Sequence, residues 1–166
     1  MKAEYINPFL DSTLNLIKSM LGEDARVGEK YVLTHFGNHR WEISGVIGLT
    51  GNVEGLVVIR LSRILAKKIL EKSGLEVSRD PDEVSKLINE MVGELVNIIA
   101  GNGLSGLNDP DVDITVPFCV QGKNHSIAWP MNNPIIVIPF STTAGPFEVT
   151  VSLKGNENRV SKGIRR

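Results

Sequence analysis

A chain of 166 residues is long enough for one domain with a real core and too short for two of full size. Its hydrophobic content of 42% and charged content of 22% are ordinary globular values, which excludes general disorder. A formal net charge of -1 excludes the broad basic field that an unaided nucleic-acid-backbone binder needs. Only the stretch from Asn156 to Arg166 is locally basic, and it reads as a solvated, flexible tail behind a single domain over 1–155. One cysteine, Cys119, cannot close an internal disulfide, so nothing ties the chain to an oxidising compartment. No apolar run approaches the ~18 residues that cross a bilayer, and the first residues lack a cleavage pattern. A soluble, cytoplasmic protein without membrane insertion is expected.

In chain order, Asn7-Pro8 is a cap-and-proline helix start, and Phe9, Leu10, Leu14, Ile17, Met20 and Leu21 follow at helical spacing up to Gly22. Period two then takes over. Tyr31–Phe36 and Trp41–Leu49 read as strands around the turn Gly37-Asn38-His39, and Val53–Leu61 follows a second turn at Gly51-Asn52. Ser62 caps a predicted helix to about Lys72, closed by Gly74. Asp80-Pro81 opens a further helix through Val84, Leu87, Ile88, Met91, Leu95, Ile98 and Ile99. Strand candidates Ile114–Val120, Ile135–Phe140 and Phe147–Leu153 complete the chain. Helix, strands, two helices, then strands is the order of an α+β fold with a largely antiparallel sheet and helices on one face. The halves echo each other loosely, helix then β-meander, but residue identity does not make a repeat.

Several apparent motifs fail on physical grounds. His35, His39 and His125 lack the partner spacing of a zinc site. Cys119, in Val-Pro-Phe-Cys-Val, reads as a buried small hydrophobe. Asp109, Asp111 and Asp113 alternate like the front of a calcium loop, but Ile114 stands where its glycine belongs and Val120 where its final glutamate belongs. Gly101-Asn-Gly-Leu-Ser-Gly106 spells a dinucleotide-binding string, yet it trails a helix C-terminus, where the dipole has the wrong sign for phosphate. Helix termination is its expected job.

The helix from Pro81 is the informative element. At ~100° per residue its apolar positions fall within roughly 120° of arc. Glu83, Glu90, Glu94 and Asn97 share a second stripe on the other side, and Gly101 continues that line. Glu94 and Asn97, at i and i+3, therefore project together and are not needed for the core. Such a pair is also what an ordinary solvated helix face presents, so spacing alone does not make a site.

Glu94-Leu-Val-Asn97-Ile-Ile-Ala-Gly-Asn102 resembles the Glu-x-x-Asn helix of the CheC/CheX/FliY phosphatases. The resemblance extends to Asn7-Pro8-Phe9, to Ser44–Gly51 with Gly55, to Pro117 with Gly122–His125, to Ile138-Pro-Phe140 and to Gly145–Val149, in order over about residues 5 to 155. CheC-type members carry two such motifs. Here Ser12 stands where the first helix would need glutamate, with Asn15 behind it, so one intact motif remains, as in CheX. Gly103 departs from the alanine common in similar proteins and puts the helix's end in question.

The resemblance implies a phosphatase acting on the aspartyl-phosphate of a CheY-like response-regulator receiver domain. Glu94 and Asn97 are then the catalytic pair, with Asn97 orienting the attacking water and Glu94 pairing with the receiver's active-site lysine. Glu90 and Gly101 are candidate docking positions. No cofactor of its own is implied, because the receiver supplies Mg²⁺. The resemblance also implies a homodimer joined by sheet edges, for which the Val- and Ile-rich strands near the C-terminus are the expected edge. The rival expectation is a non-catalytic adaptor binding a signalling or flagellar-motor partner. A small-molecule sensor would need a defined apolar pocket.

Overall fold

The computed structural model describes residues 3–35, 40–107, 111–130 and 132–155. The turn Gly37-Asn38-His39, Asp109 and the tail from 156 lie outside them. The elements are α1 (Ala3–Leu21), β1 (Arg26–Val27), β2 (Tyr31–Val32), β3 (Ile43–Gly51), β4 (Val53–Leu61), α2 (Arg63–Lys72), α3 (Pro81–Ser105), β5 (Val112–Ile114), β6 (Phe118–Gln121), β7 (Ile136–Thr142) and β8 (Gly145–Gly155). The eight strands all pair antiparallel in one sheet of order β1-β7-β8-β4-β3-β5, with β2 also on β7 and β6 also on β3.

Alternation along the strands separates two faces. Ile43, Ile47, Val57, Ile59, Leu61, Phe147, Val149 and Val151 point to the helical side and form the core with Phe9, Ile17, Leu65, Ile69, Ile88, Val92, Val96 and Ile99. The expected α+β fold with helices on one face is therefore present. The other face carries Ser44, Val46, Val58, Arg60, Val137, Glu148 and Thr150, all buried as well. Here the chain after β6 lies across the sheet: His125 meets Ser44 at 2.7 Å, and Trp129 stacks over the Arg60 guanidinium at 5.6 Å. Register places Arg60 opposite Glu148, and the two form a buried ion pair at 3.1 Å.

The loose echo between the halves has a structural meaning. Exchanging β1 with β5, β7 with β3 and β8 with β4 leaves the strand order unchanged, and α1 packs on α3. The two halves share a topology that their residues no longer display.

Three expectations change. The first helix starts at Ala3, so Pro8 lies inside it. Pro8 packs where a side chain on Gly106 would otherwise sit, and the contact between α1 and α3 sets its place. The segment Ile114–Val120 divides around Pro117, which has no N–H to donate to the ladder, into β5 on the end of β3 and β6 on its start. Finally, the C-terminal strands do not supply a free edge: β8 lies between β4 and β7, and the short β1 and β2 cover β7.

Candidate functional site

Asp80 accepts from the Asp82 amide and Pro81 occupies the first turn, which is why α3 starts where the sequence indicates. Its end lies beyond the Gly101 at which the glycine string was expected to stop it. The helix runs through Gly101 and Gly103 to Ser105 and is capped at Gly106. Gly103 is a packing residue: a Cβ there would lie 2.5 Å from Cε1 and 2.8 Å from Cγ of Phe9, and closer still to Cδ1. The bare backbone lets the α1 ring lie directly on α3.

The buried side of α3 comprises Val84, Ile88, Val92, Gly93, Leu95, Val96, Ile99, Ala100, Gly103 and Leu104, with Leu87, Met91 and Ile98 half-buried. This arc is wider than the expected stripe and its centre is turned by about 100°, roughly one residue, because α1, the sheet and β6 all contribute cover. Glu90 and Glu94 are exposed, and Asn97 and Gly101 are half-buried. Among the described residues, none hydrogen-bonds or ion-pairs with the side chains of Glu90, Glu94 or Asn97. β6 runs along the neighbouring side of the helix. Gln121 donates to the Ser85 carbonyl at 2.7 Å and to Asn89 Oδ1 at 2.8 Å, and the Pro117 ring approaches Gly93. A fixed strand thus holds the helix from which Glu94 and Asn97 project.

An outward carboxylate beside an outward carboxamide has a definite chemical capacity. The carboxylate can take a cationic partner in a charge-assisted bond. The amide offers an acceptor and two donors without needing a shifted pKa, so it can hold a water from two sides. On α1 the corresponding arrangement is closed: Ser12 is buried with its hydroxyl unpartnered among the described residues, while Asn15 is exposed.

Other chemistry-bearing groups have structural roles. His125 Nδ1 lies 2.7 Å from the Gly122 carbonyl and must donate to it, so in the neutral ring Nε2 accepts from the Ser44 hydroxyl. A serine–histidine pair resembles a nucleophile and its base, and no sequence signal joins these two residues, which are 81 positions apart. Ser44, however, has no exposed surface, so the pair is a latch between loop and sheet. His35 is exposed and meets the Thr34 hydroxyl. Cys119 is half-buried, and burial pushes its thiol up to about 11. It is therefore a thiol at neutral pH and a poor nucleophile. A cleft of about 250 Å³ is lined by Leu21, Glu23, Lys68, Lys72, Thr143 and Ala144, none of them on α3. The Thr143 hydroxyl and amide donate to Glu23 and hold its carboxyl below the usual range. This half-polar cleft is not the apolar pocket a sensor would need. Among the described residues no cluster of three or more His, Cys, Asp or Glu could hold a metal ion, and no helix is long and apolar enough to cross a membrane.

The family model "Chemotaxis phosphatase CheX" matches residues 43–141, more than half of the chain and including all of α3. The chain belongs to the CheX family. It is 28% identical over 129 residues to a CheY-P phosphatase CheX of Thermotoga maritima, covering 76% of this chain and 81% of that protein. The crystal structure of a CheC-like superfamily protein from Shewanella sp. PV-4 superposes with a TM-score of 0.80 at 30% identity, covering 93% of this chain and 100% of that one. A CheX from Borrelia burgdorferi, solved in a complex with CheY, BeF3 and Mg²⁺, superposes with a TM-score of 0.76 at 28% identity, covering 90% of this chain and 97% of that one.

Proposed function

We propose that this chain hydrolyses the aspartyl-phosphate of a CheY-like receiver domain, with Asn97 orienting the attacking water and Glu94 docking to the receiver's active-site lysine. The observation that carries this reading is the placement of Glu94 and Asn97 together on the outward side of α3, in a member of a chemotaxis phosphatase family.

An aspartyl-phosphate is an activated acyl phosphate, and the receiver brings its own Mg²⁺ and lysine to the phosphoryl group. What it lacks is a water held in line. A water-orienting amide supplies that, in the manner of the glutamine of small GTPases. Positioning a nucleophile lowers a barrier by several kcal/mol, so one inserted amide on a rigid helix is sufficient. The Glu94 carboxylate fixes the register of insertion. Mg²⁺ enters with the receiver, and the reaction belongs to the cytoplasm, where receivers work. Residues 1–155 act as one domain. The homodimer expected from the family resemblance would form at the β5–β6 edge, where Val116 is 85% and Phe118 55% exposed.

The test is a panel of phosphorylated receiver domains, each timed with and without the protein. At least one should lose its phosphate faster. Asn97→Ala should abolish the acceleration while far-UV and near-UV circular dichroism stay unchanged. Glu94→Ala should lose activity mainly through a raised KM. Full activity in Asn97→Ala refutes the mechanism, and binding with no change in phosphate lifetime establishes the adaptor instead.

A further inference from the structure

Gly103 lies under the Phe9 ring, and Gly93 is buried, where an added Cβ would just touch the Pro117 ring at 4.0 Å. Gly101 differs from both. A Cβ built there would meet no described atom within 4 Å beyond the helix's own backbone and the flanking residues. Glycine in a helix interior is destabilising relative to alanine, because it loses more backbone freedom on folding. Gly101 is about four residues from the C-terminal end of a 25-residue helix and has no positive φ, so neither a cap nor a turn explains it. Nothing described inside the molecule requires position 101 to lack a side chain.

Its position does. At ~100° and 1.5 Å per residue, Gly101 lies about 40° around the helix from Asn97 and about 6 Å further along, on the Glu94–Asn97 line. The backbone there is already satisfied, since the Ser105 hydroxyl donates to the Gly101 carbonyl at 3.0 Å. The surface therefore offers clearance and shape, not hydrogen bonds. For the Asn97 amide to reach a phosphoryl group inside another protein's pocket, the rim of that pocket must close over the helix beyond it.

We infer that Gly101 is the clearance residue of the docking surface: its bare backbone admits the main chain of a receiver loop bordering the aspartyl-phosphate pocket. This rests on the reading of the Glu94–Asn97 face as the receiver-docking face. A methyl group at 101 makes closure of that loop on the helix costlier, so the fully inserted complex forms less readily while Asn97 sits in it as in the wild type.

The experiment uses the full chain and whichever receiver responds most strongly in the panel above. KM and kcat are measured by phosphate release, and Kd with the same receiver loaded with beryllofluoride. Gly101→Ala should raise Tm by about 2–4 °C through its gain in helix propensity. It should nevertheless raise KM and Kd on the order of tenfold while kcat stays within about twofold. Gly101→Leu should raise both further still. A merely structural role would lower Tm or move kcat, and would not pair a more stable protein with weaker docking. If wild type accelerates hydrolysis, Asn97→Ala does not, and Gly101→Ala keeps the wild-type KM and Kd, the clearance role is refuted and the catalytic reading stands. If no receiver responds, both fall.

Discussion

Replacing Gly103 with alanine is a sharp test of how α1 meets α3. The new methyl carbon would lie 2.5 and 2.8 Å from Phe9 Cε1 and Cγ, with Cδ1 nearer still. Carbon atoms in contact prefer about 3.5–4.0 Å, so the ring must retreat by about 1 Å. Phe9 has no exposed surface and is enclosed by the core, so it cannot swing out. Overpacking of this kind costs about 1–3 kcal/mol. The gain from replacing a helix-interior glycine returns about 0.5–1 kcal/mol. The net effect is a loss on the order of 1 kcal/mol, or about 2–4 °C in Tm for a chain of this size. Thermal and urea unfolding followed by circular dichroism would read it. The substitution two residues earlier, Gly101→Ala, should move Tm in the opposite direction. A shorter ring-free side chain in Phe9→Leu should recover part of the Gly103→Ala loss, a coupling that a double-mutant cycle isolates. A Gly103→Ala protein as stable as wild type would refute the direct seating of Phe9 on α3.

The buried ion pair makes a second stability prediction. Glu148→Ala leaves the Arg60 guanidinium buried without its carboxylate, and loss of one partner of such a pair costs about 3–5 kcal/mol, measurable as a urea midpoint shift. Desolvation raises the Glu148 pKa against the pull of Arg60, so the folded state holds that proton more tightly than the unfolded one. This contribution to stability is fully present below the ordinary glutamate value and declines as pH rises through the raised folded value, which the Glu148→Gln protein should not show. With its thiol pushed up to about 11, Cys119 should react with iodoacetamide at pH 8 on the order of a hundredfold more slowly in the folded protein than in urea. Equal rates would contradict its burial.

Much of the local structure was legible in the residues. Asp80-Pro81 and Ser62 marked two helix starts because a cap is a short-range hydrogen bond, visible within three positions. Gly51-Asn52 marked the β3–β4 hairpin because the chain there adopts φ +111°, which glycine allows without strain. The outward placement of Glu94 and Asn97 followed from helical period alone. The motif's meaning did not: it came from resemblance along the whole chain.

What the sequence determined by itself is thus the order of the three helices and the long strands, the antiparallel α+β class and the sidedness of α3, all set by local bonds and by the repeat of apolar residues, while the two-residue β1 and the division of Ile114–Val120 were not legible. The tertiary structure decided whatever depends on distant partners. It decided that Pro8 and Gly103 belong inside helices, because α1 and α3 lie against each other. It decided that the C-terminal strands are interior and that the second face of the sheet is sealed by a loop through Ser44–His125 and Arg60–Trp129. Contacts between residues so far apart in the chain leave no periodic trace, since each partner is chosen by shape and charge in space and not by spacing along the backbone.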